Sequence, residues 1–168
     1  MLHRYTIPFA RLLTLAALAG APALAGPAHH RGMDARGDKA MGFSHGATTH
    51  HFLLRPDGGV IQVTANDAAD TSSESRIRAH LSQVSANFAA GNFDLPTFVH
   101  DKVPPGVPEM QQLKKQISYQ FEPIESGGRV TIRTRNARAL VAIHDFLRFQ
   151  IHEHETGDPL EVLEPQPR

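Results

Sequence analysis

The chain has 168 residues, 17 lysines and arginines against 17 aspartates and glutamates, eleven histidines and no cysteine. The missing thiol excludes disulfides, thiolate metal sites, a covalently attached c-type haem and a cysteine nucleophile. The even charge balance offers nothing to draw the protein to nucleic acid or to an anionic lipid surface, so a nucleic-acid partner is not expected.

Residues 1–25 read as a secretory signal peptide. Arg4 and Arg11 come first, the apolar run Leu12 to Leu18 follows, and Gly20, Pro22 and the small-residue triplet Ala23, Leu24, Ala25 close the segment. The run is far shorter than the roughly 20 residues that cross a bilayer. Cleavage after Ala25 would therefore release a periplasmic or secreted protein with no integral membrane segment. Residues 26–46 are rich in Gly, Ala, His and charge, with Met33, Met41 and Phe43 as their only large apolar residues, and read as a flexible leader.

Residues 47–159 carry the pattern of a single α+β domain. Thr49 to Leu54 and Val60 to Thr64 are β-prone runs separated by Arg55, Pro56, Asp57, Gly58 and Gly59, a hairpin with turn chemistry at its tip. Thr71 with Glu74 forms a capping-box pattern, and Ile77, Leu81, Val84 and Phe88 recur at four, three and four before a stop at Gly91, which predicts an amphipathic helix. The stretch Asn92 to Glu109, with Pro96, Pro104, Pro105 and Pro108, reads as a long connection in which Val103 to Pro108 is extended and Met110 and Leu113 belong to a short helical turn. A second hairpin follows, Ile117, Tyr119 and Phe121 before the turn at Gly127 and Gly128, Val130 and Ile132 after it. Asn136 can cap a second helix with Leu140, Ile143, Leu147 and Ile151 on one stripe, ending at Gly157 before Pro159. Residues 160–168 read as a loose tail.

Aligned on their glycine pairs, the two halves set Ile77 and Leu81 opposite Ile143 and Leu147 with a three-residue offset, a weak internal repeat. The expected fold is two ββα repeats forming a four-stranded antiparallel sheet with two helices on one face, because each hairpin's apolar face needs a helix to cover it. Phe149 lies opposite the second helix's stripe, with Ala142 and Phe146 on that flank. That surface calls for cover by the proline-rich connection, by the tail, or by a second copy in a homodimer formed through Phe146 and Phe149.

Met41-Gly42-Phe43, Thr48-Thr49-His50-His51-Phe52, Val103-Pro104-Pro105-Gly106-Val107-Pro108 and the helix from Ile143 to Ile151 together resemble a family of small exported bacterial proteins. The resemblance spans about Met41 to Pro159 and implies export without an assigned activity. Some members carry the label aspartate carbamoyltransferase, an activity that grips carbamoyl phosphate with a Ser-Thr-Arg-Thr-Arg loop at a helix start. The nearest string here, Thr131-Ile132-Arg133-Thr134-Arg135, begins inside a predicted strand and has isoleucine in second place.

Histidine is the compositional outlier. His50 and His51 are neighbours on a strand and so face opposite ways, with His50 on the side of Phe52 and Leu54. His144 and His154 flank the second helix's stripe, and His100 sits beside Asp101. A metal reading takes His50 or His51, with His100 and His144, as imidazole ligands for copper or zinc, with Asp101 or Asp145 as outer acceptors and Met41 or Met110 as thioethers for Cu(I). The spacing matches no ligand motif such as His-Glu-x-x-His, and there is no Gly-x-Ser-x-Gly nucleophile elbow. No catalytic residue is assigned. The sequence points first to a non-catalytic exported binding or interaction module for a protein or small ligand, then to a periplasmic metal-handling protein, and last to an enzyme of unrecognised type.

Overall fold

Two hairpins of equal length build the sheet. In the computed structural model, which describes residues 27–163 and side chains from residue 32 onward, β1 (Thr48–Arg55) turns into β2 (Gly58–Ala65), and β3 (Ile117–Ile124) into β4 (Gly127–Thr134). All pairs are antiparallel, in the order β1-β2-β4-β3. One step of 69 residues carries each strand of the first hairpin onto its counterpart (117 − 48 and 127 − 58). The central β2–β4 register obeys the same step, since Gly58 pairs with Arg133 and Thr64 with Gly127. A pseudo-twofold axis therefore runs between β2 and β4. The signal peptide expected over residues 1–25 lies outside the described residues.

The long helices α2 (Thr71–Ala90) and α5 (Ala137–Glu153) cover one face of the sheet. They bury Ile77, Leu81, Val84 and Phe88 on α2 and Ile143, Leu147 and Ile151 on α5, as the periodicity predicts, whereas Leu140 of the expected α5 stripe is only half-buried and Ala139 beside it is buried instead. The helices follow a 66-residue step (143 − 77 and 147 − 81), which is the three-residue offset seen in the sequence. Each helix presses a leucine onto a glycine: a Cβ on Gly59 would overlap Leu147, and one on Gly128 would crowd Leu81 and Phe121. The same pairing in both halves makes the repeat a matter of packing as well as of order.

Each helix also fastens a hairpin turn. Arg78 on α2 donates from Nε to the Gly127 carbonyl at 3.0 Å and from its terminal nitrogen to the Ile124 carbonyl at 2.9 Å. His144 on α5 reaches the Arg55 carbonyl at 2.9 Å and the Gly58 carbonyl at 3.1 Å from Nε2. Carbonyls only accept, so Nε2 carries the hydrogen. Arg78 and His144 occupy equivalent helix positions, and their four acceptors are equivalent under the strand step.

Several local expectations are corrected. Asp70, not Thr71, caps α2 by accepting from the Ser73 amide, while Glu74 pairs with Arg78 one turn on. The Asn136 cap of α5 is as expected, with its side chain accepting from the Arg138 and Ala139 amides. The helix stops at Glu153 rather than running to Gly157. The supposed flexible leader holds α1 (Pro27–Met41) and a 3₁₀ turn at His45–Ala47. Met33 and Gly37 are buried on one side of α1, Met41 lies on the same spacing, and Phe43 is 6 % exposed. The proline-rich connection contains α3 (Asp94–His100) and α4 (Val107–Gln112), so the extended run expected over Val103 to Pro108 is cut short by a helix start. Pro96 and Pro108 both fall in a first turn, where the absent N–H would have had no intrahelical partner.

The expected loose tail is anchored over its described part. The Leu163 amide donates to the Leu54 carbonyl, Asp158 accepts from the Phe52 amide, and Val162 packs on the core. These contacts satisfy one donor and one acceptor on the outer edge of β1. On the opposite edge, β3 has Pro123 at the position equivalent to Leu54, and proline removes a donor from an exposed edge. Phe146, expected at a dimer surface, is 1 % exposed and packs against Phe88 and Phe93. Phe149 is partly covered by the connection, with the His100 ring at its edge and the Lys102 ammonium 4.8 Å from its centroid. Among the described residues no helix is long and apolar enough to cross a membrane.

Candidate functional site: an imidazole-lined cavity

Beside β1, the space between α2 and α5 is not filled. A cavity of about 90 Å³ lies there, roofed by Gly37 and Met41 of α1 and by Leu95, Pro96 and Val99 of α3. Its floor is Phe52, Ile61 and Val63, and its walls are Leu81, Val84 and Phe88 from α2 and Phe146 from α5. Into this apolar shell the chain places His50 from β1, His80 from α2, His100 from α3, Gln150 from α5 and His154 at the C-cap of α5. No lysine, arginine, aspartate or glutamate lines it. The roof is tied down by Arg36, which donates to the Val99 carbonyl, and by Arg76, which donates to the Gly42 carbonyl.

The rings form a chain of contacts. His50 and His154 lie nearly parallel with centroids 5.8 Å apart, and His154 meets His100 edge-on at 5.1 Å. Phe43 covers His50 on one side and meets His80 at 5.6 Å. Burial holds His50 at a pKa of about 4, with the neighbouring His80, His45 and His51 pushing the same way. Burial alone brings His80 to about 4. His154 is lowered to about 3 by burial and by His50 and His100, against a weaker opposing pull from Glu153. At neutral pH these three imidazoles are uncharged, and each offers one donor and one acceptor nitrogen.

Gln150 is the sharpest polar feature. It is 4 % exposed, its Oε1 lies 3.0 Å from His100 Nε2, and its buried Nε2 has no acceptor. A donor left in this state costs about 1–3 kcal/mol.

The four histidines of the sequence's metal reading do not form one ligand set. His50 and His100 face the cavity, on either side of His154. His51 points the other way and its Nδ1 lies 2.8 Å from Asp158. His144 is committed to the first hairpin turn. Met41 lines the cavity, whereas Met110 is wholly buried in the core cluster. Among the described residues no group of three His, Cys, Asp or Glu side chains is placed to hold a metal ion.

Sequence reasoning missed His80 and Gln150. The repeat contained the signal, because the 66-residue step sets Gln150 against Val84, His154 against Phe88 and Phe146 against His80, while the 69-residue step sets His50 against Tyr119. Polar groups at one end of the molecule stand where the other end has apolar or aromatic ones. The chain matches no protein-family model, no curated protein and no solved structure.

Proposed function

We propose that this protein is a non-catalytic exported binding module and that a small ligand occupies the cavity beneath α1 and α3. The observation that carries the reading is the Gln150 amide, a buried donor without an acceptor in the wall of a space large enough for several non-hydrogen atoms. Val84, at the equivalent place on α2, is aliphatic, so the fold itself does not demand an amide there. A ligand that accepts from Gln150 would relieve the cost of the buried donor, and relief of that kind favours the occupied state.

Ligand-observed NMR with a library of compounds of up to eight or so non-hydrogen atoms tests the reading. Binders should compete with one another, shift resonances of His50, His80 and Gln150, and be recovered unchanged after prolonged incubation. Chemical conversion of a bound compound would overturn the non-catalytic part. Binding confined to residues outside the cavity would overturn the site.

A further inference from the structure

Resting on that reading, we infer that the ligand is a small uncharged molecule bearing a carbonyl-type oxygen, of about five non-hydrogen atoms, held by a hydrogen bond from Gln150 Nε2. Three observations fix the class. The first is size: at about 90 Å³ the cavity equals the liquid volume of roughly three waters and is smaller than the ~150 Å³ engineered cavity that admits benzene.

The second is charge. An anion would need a cationic partner, and no lysine or arginine lines the space. Burial holds His50, His80 and His154 neutral, and His100 already has the Glu153 carboxylate 3.7 Å from its Nδ1, so a ligand carboxylate would be buried without a counter-charge of its own, a large penalty. A cation is disfavoured by the donor it would meet at Gln150. The charged groups around the imidazoles lie on their outer side. Asp34 from α1, His45 from the 3₁₀ turn, Glu153 at the end of α5 and Glu155 beyond it line a separate cleft behind His50 and His154.

The third is complementarity. The free group is a donor, so the ligand must accept, and the remaining walls are aromatic and aliphatic, so the rest of the ligand must be apolar. Neutral imidazoles suit this role because each ring adds apolar surface and can still donate or accept at its edge.

Four probes of equal size separate this inference from the reading beneath it: 2-butanone, propanamide, propionate and cyclopentane. Titrations at pH 7, followed by the Gln150 side-chain amide resonances and by calorimetry, should show the two neutral carbonyl compounds binding about tenfold more tightly than propionate or cyclopentane, the fold-change of one hydrogen bond. Gln150→Leu should erase the preference over cyclopentane while keeping cyclopentane binding, which also reports that the variant is folded. Tighter binding of propionate would overturn the uncharged class and leave the cavity as a site. Equal binding of cyclopentane by the unaltered protein would overturn the role of Gln150. If none of the four binds at millimolar concentration, the inference and the proposed function fall together.

Discussion

The two ends of this molecule are built on one plan and filled with opposite chemistry. At the β3 end Phe88, Phe93, Phe146 and Tyr119 close on one another, Phe88 stacking on Phe93 at 4.3 Å and meeting Tyr119 and Phe146 edge-on at 5.8 Å. At the β1 end the equivalents of Phe88, Tyr119 and Phe146 are His154, His50 and His80, which line the cavity together with one side of Phe88 and Phe146. The backbone steps, the leucine-on-glycine contacts and the turn clamps agree between the halves, so backbone geometry does not account for the difference. It lies in the side chains at equivalent positions and in the roof that α1 and α3 lay over one end. The aromatic end shows that these positions accept rings that pack on one another. The imidazole end forgoes some of that packing and places three titratable rings where solvation is poor.

The largest expected consequence is acid sensitivity confined to one end. His50, His80 and His154 have folded pKa values below the ordinary 6.5, so as pH falls the unfolded chain binds protons that the folded chain cannot. Stability is therefore full above about pH 6.5 and declines as pH drops toward 4. By pH 5 each ring should account for a loss on the order of 1–2 kcal/mol, discounted for its residual contact with solvent. Together this is a sizeable part of the ~5–15 kcal/mol of a typical domain. Urea unfolding at pH 7, 6 and 5 should show a falling midpoint. His154→Phe, which copies the aromatic end, should flatten that fall. A midpoint independent of pH would mean that the two ends do not differ in the way their side chains suggest.

A smaller effect compares the two cores directly. Leu147→Ala should cost about 2–5 kcal/mol, the range for a leucine wholly withdrawn from water. Its counterpart Leu81 also borders the cavity, so part of its surface already faces empty space, and Leu81→Ala should fall in the lower half of that range. Denaturant midpoints with unchanged slopes would measure both. A loss below about 1 kcal/mol at Leu147 would contradict the placement of α5, and a larger loss at Leu81 than at Leu147 would contradict the placement of the cavity.

The parts of the fold that could be read in advance are those whose residues repeat at a fixed period. Alternation gave both hairpins, three-and-four spacing gave α2 and α5, and the glycine pairs gave the repeat, because in each case one buried face imposes the pattern. α1 escaped notice because a glycine, Gly37, stands in the middle of its buried stripe between Met33 and Met41. α3 was masked by Pro96, whose cost is small in a first turn. The candidate site was legible only in fragments. Strand alternation turns His50 toward the core, and composition alone cannot separate His50 and His100, which face the cavity, from His51 and His144, which the fold sends elsewhere. Gln150 and His80 sit on helix flanks where a polar side chain ordinarily meets solvent, and only the tertiary roof of α1 and α3 turns those flanks inward.

The smallest effect expected separates a structural histidine from a binding one. His144 and Arg78 hold equivalent pairs of turn carbonyls, and they differ in exposure: His144 is 9 % exposed, whereas the Arg78 side chain keeps 40 % of its surface in water. When His144 is removed, the Arg55 and Gly58 carbonyls lose a buried donor, so His144→Ala should cost about 2 kcal/mol. When Arg78 is removed, water can reach the Ile124 and Gly127 carbonyls more readily, and Arg78→Ala should cost about 1 kcal/mol or less. His144→Arg, which imports the clamp used by the other half, should recover part of the loss in a way that His144→Leu does not, because only arginine restores a donor to the turn. Thermal unfolding of the four variants provides the comparison, and titration with copper and zinc provides the check on role. A clamp predicts that His144→Ala lowers stability and leaves any uptake of either metal unchanged. If that substitution instead abolished metal uptake without moving the unfolding midpoint, His144 would be a ligand, its likeness to Arg78 would be coincidental, and the symmetry of the turn clamps would lose its meaning.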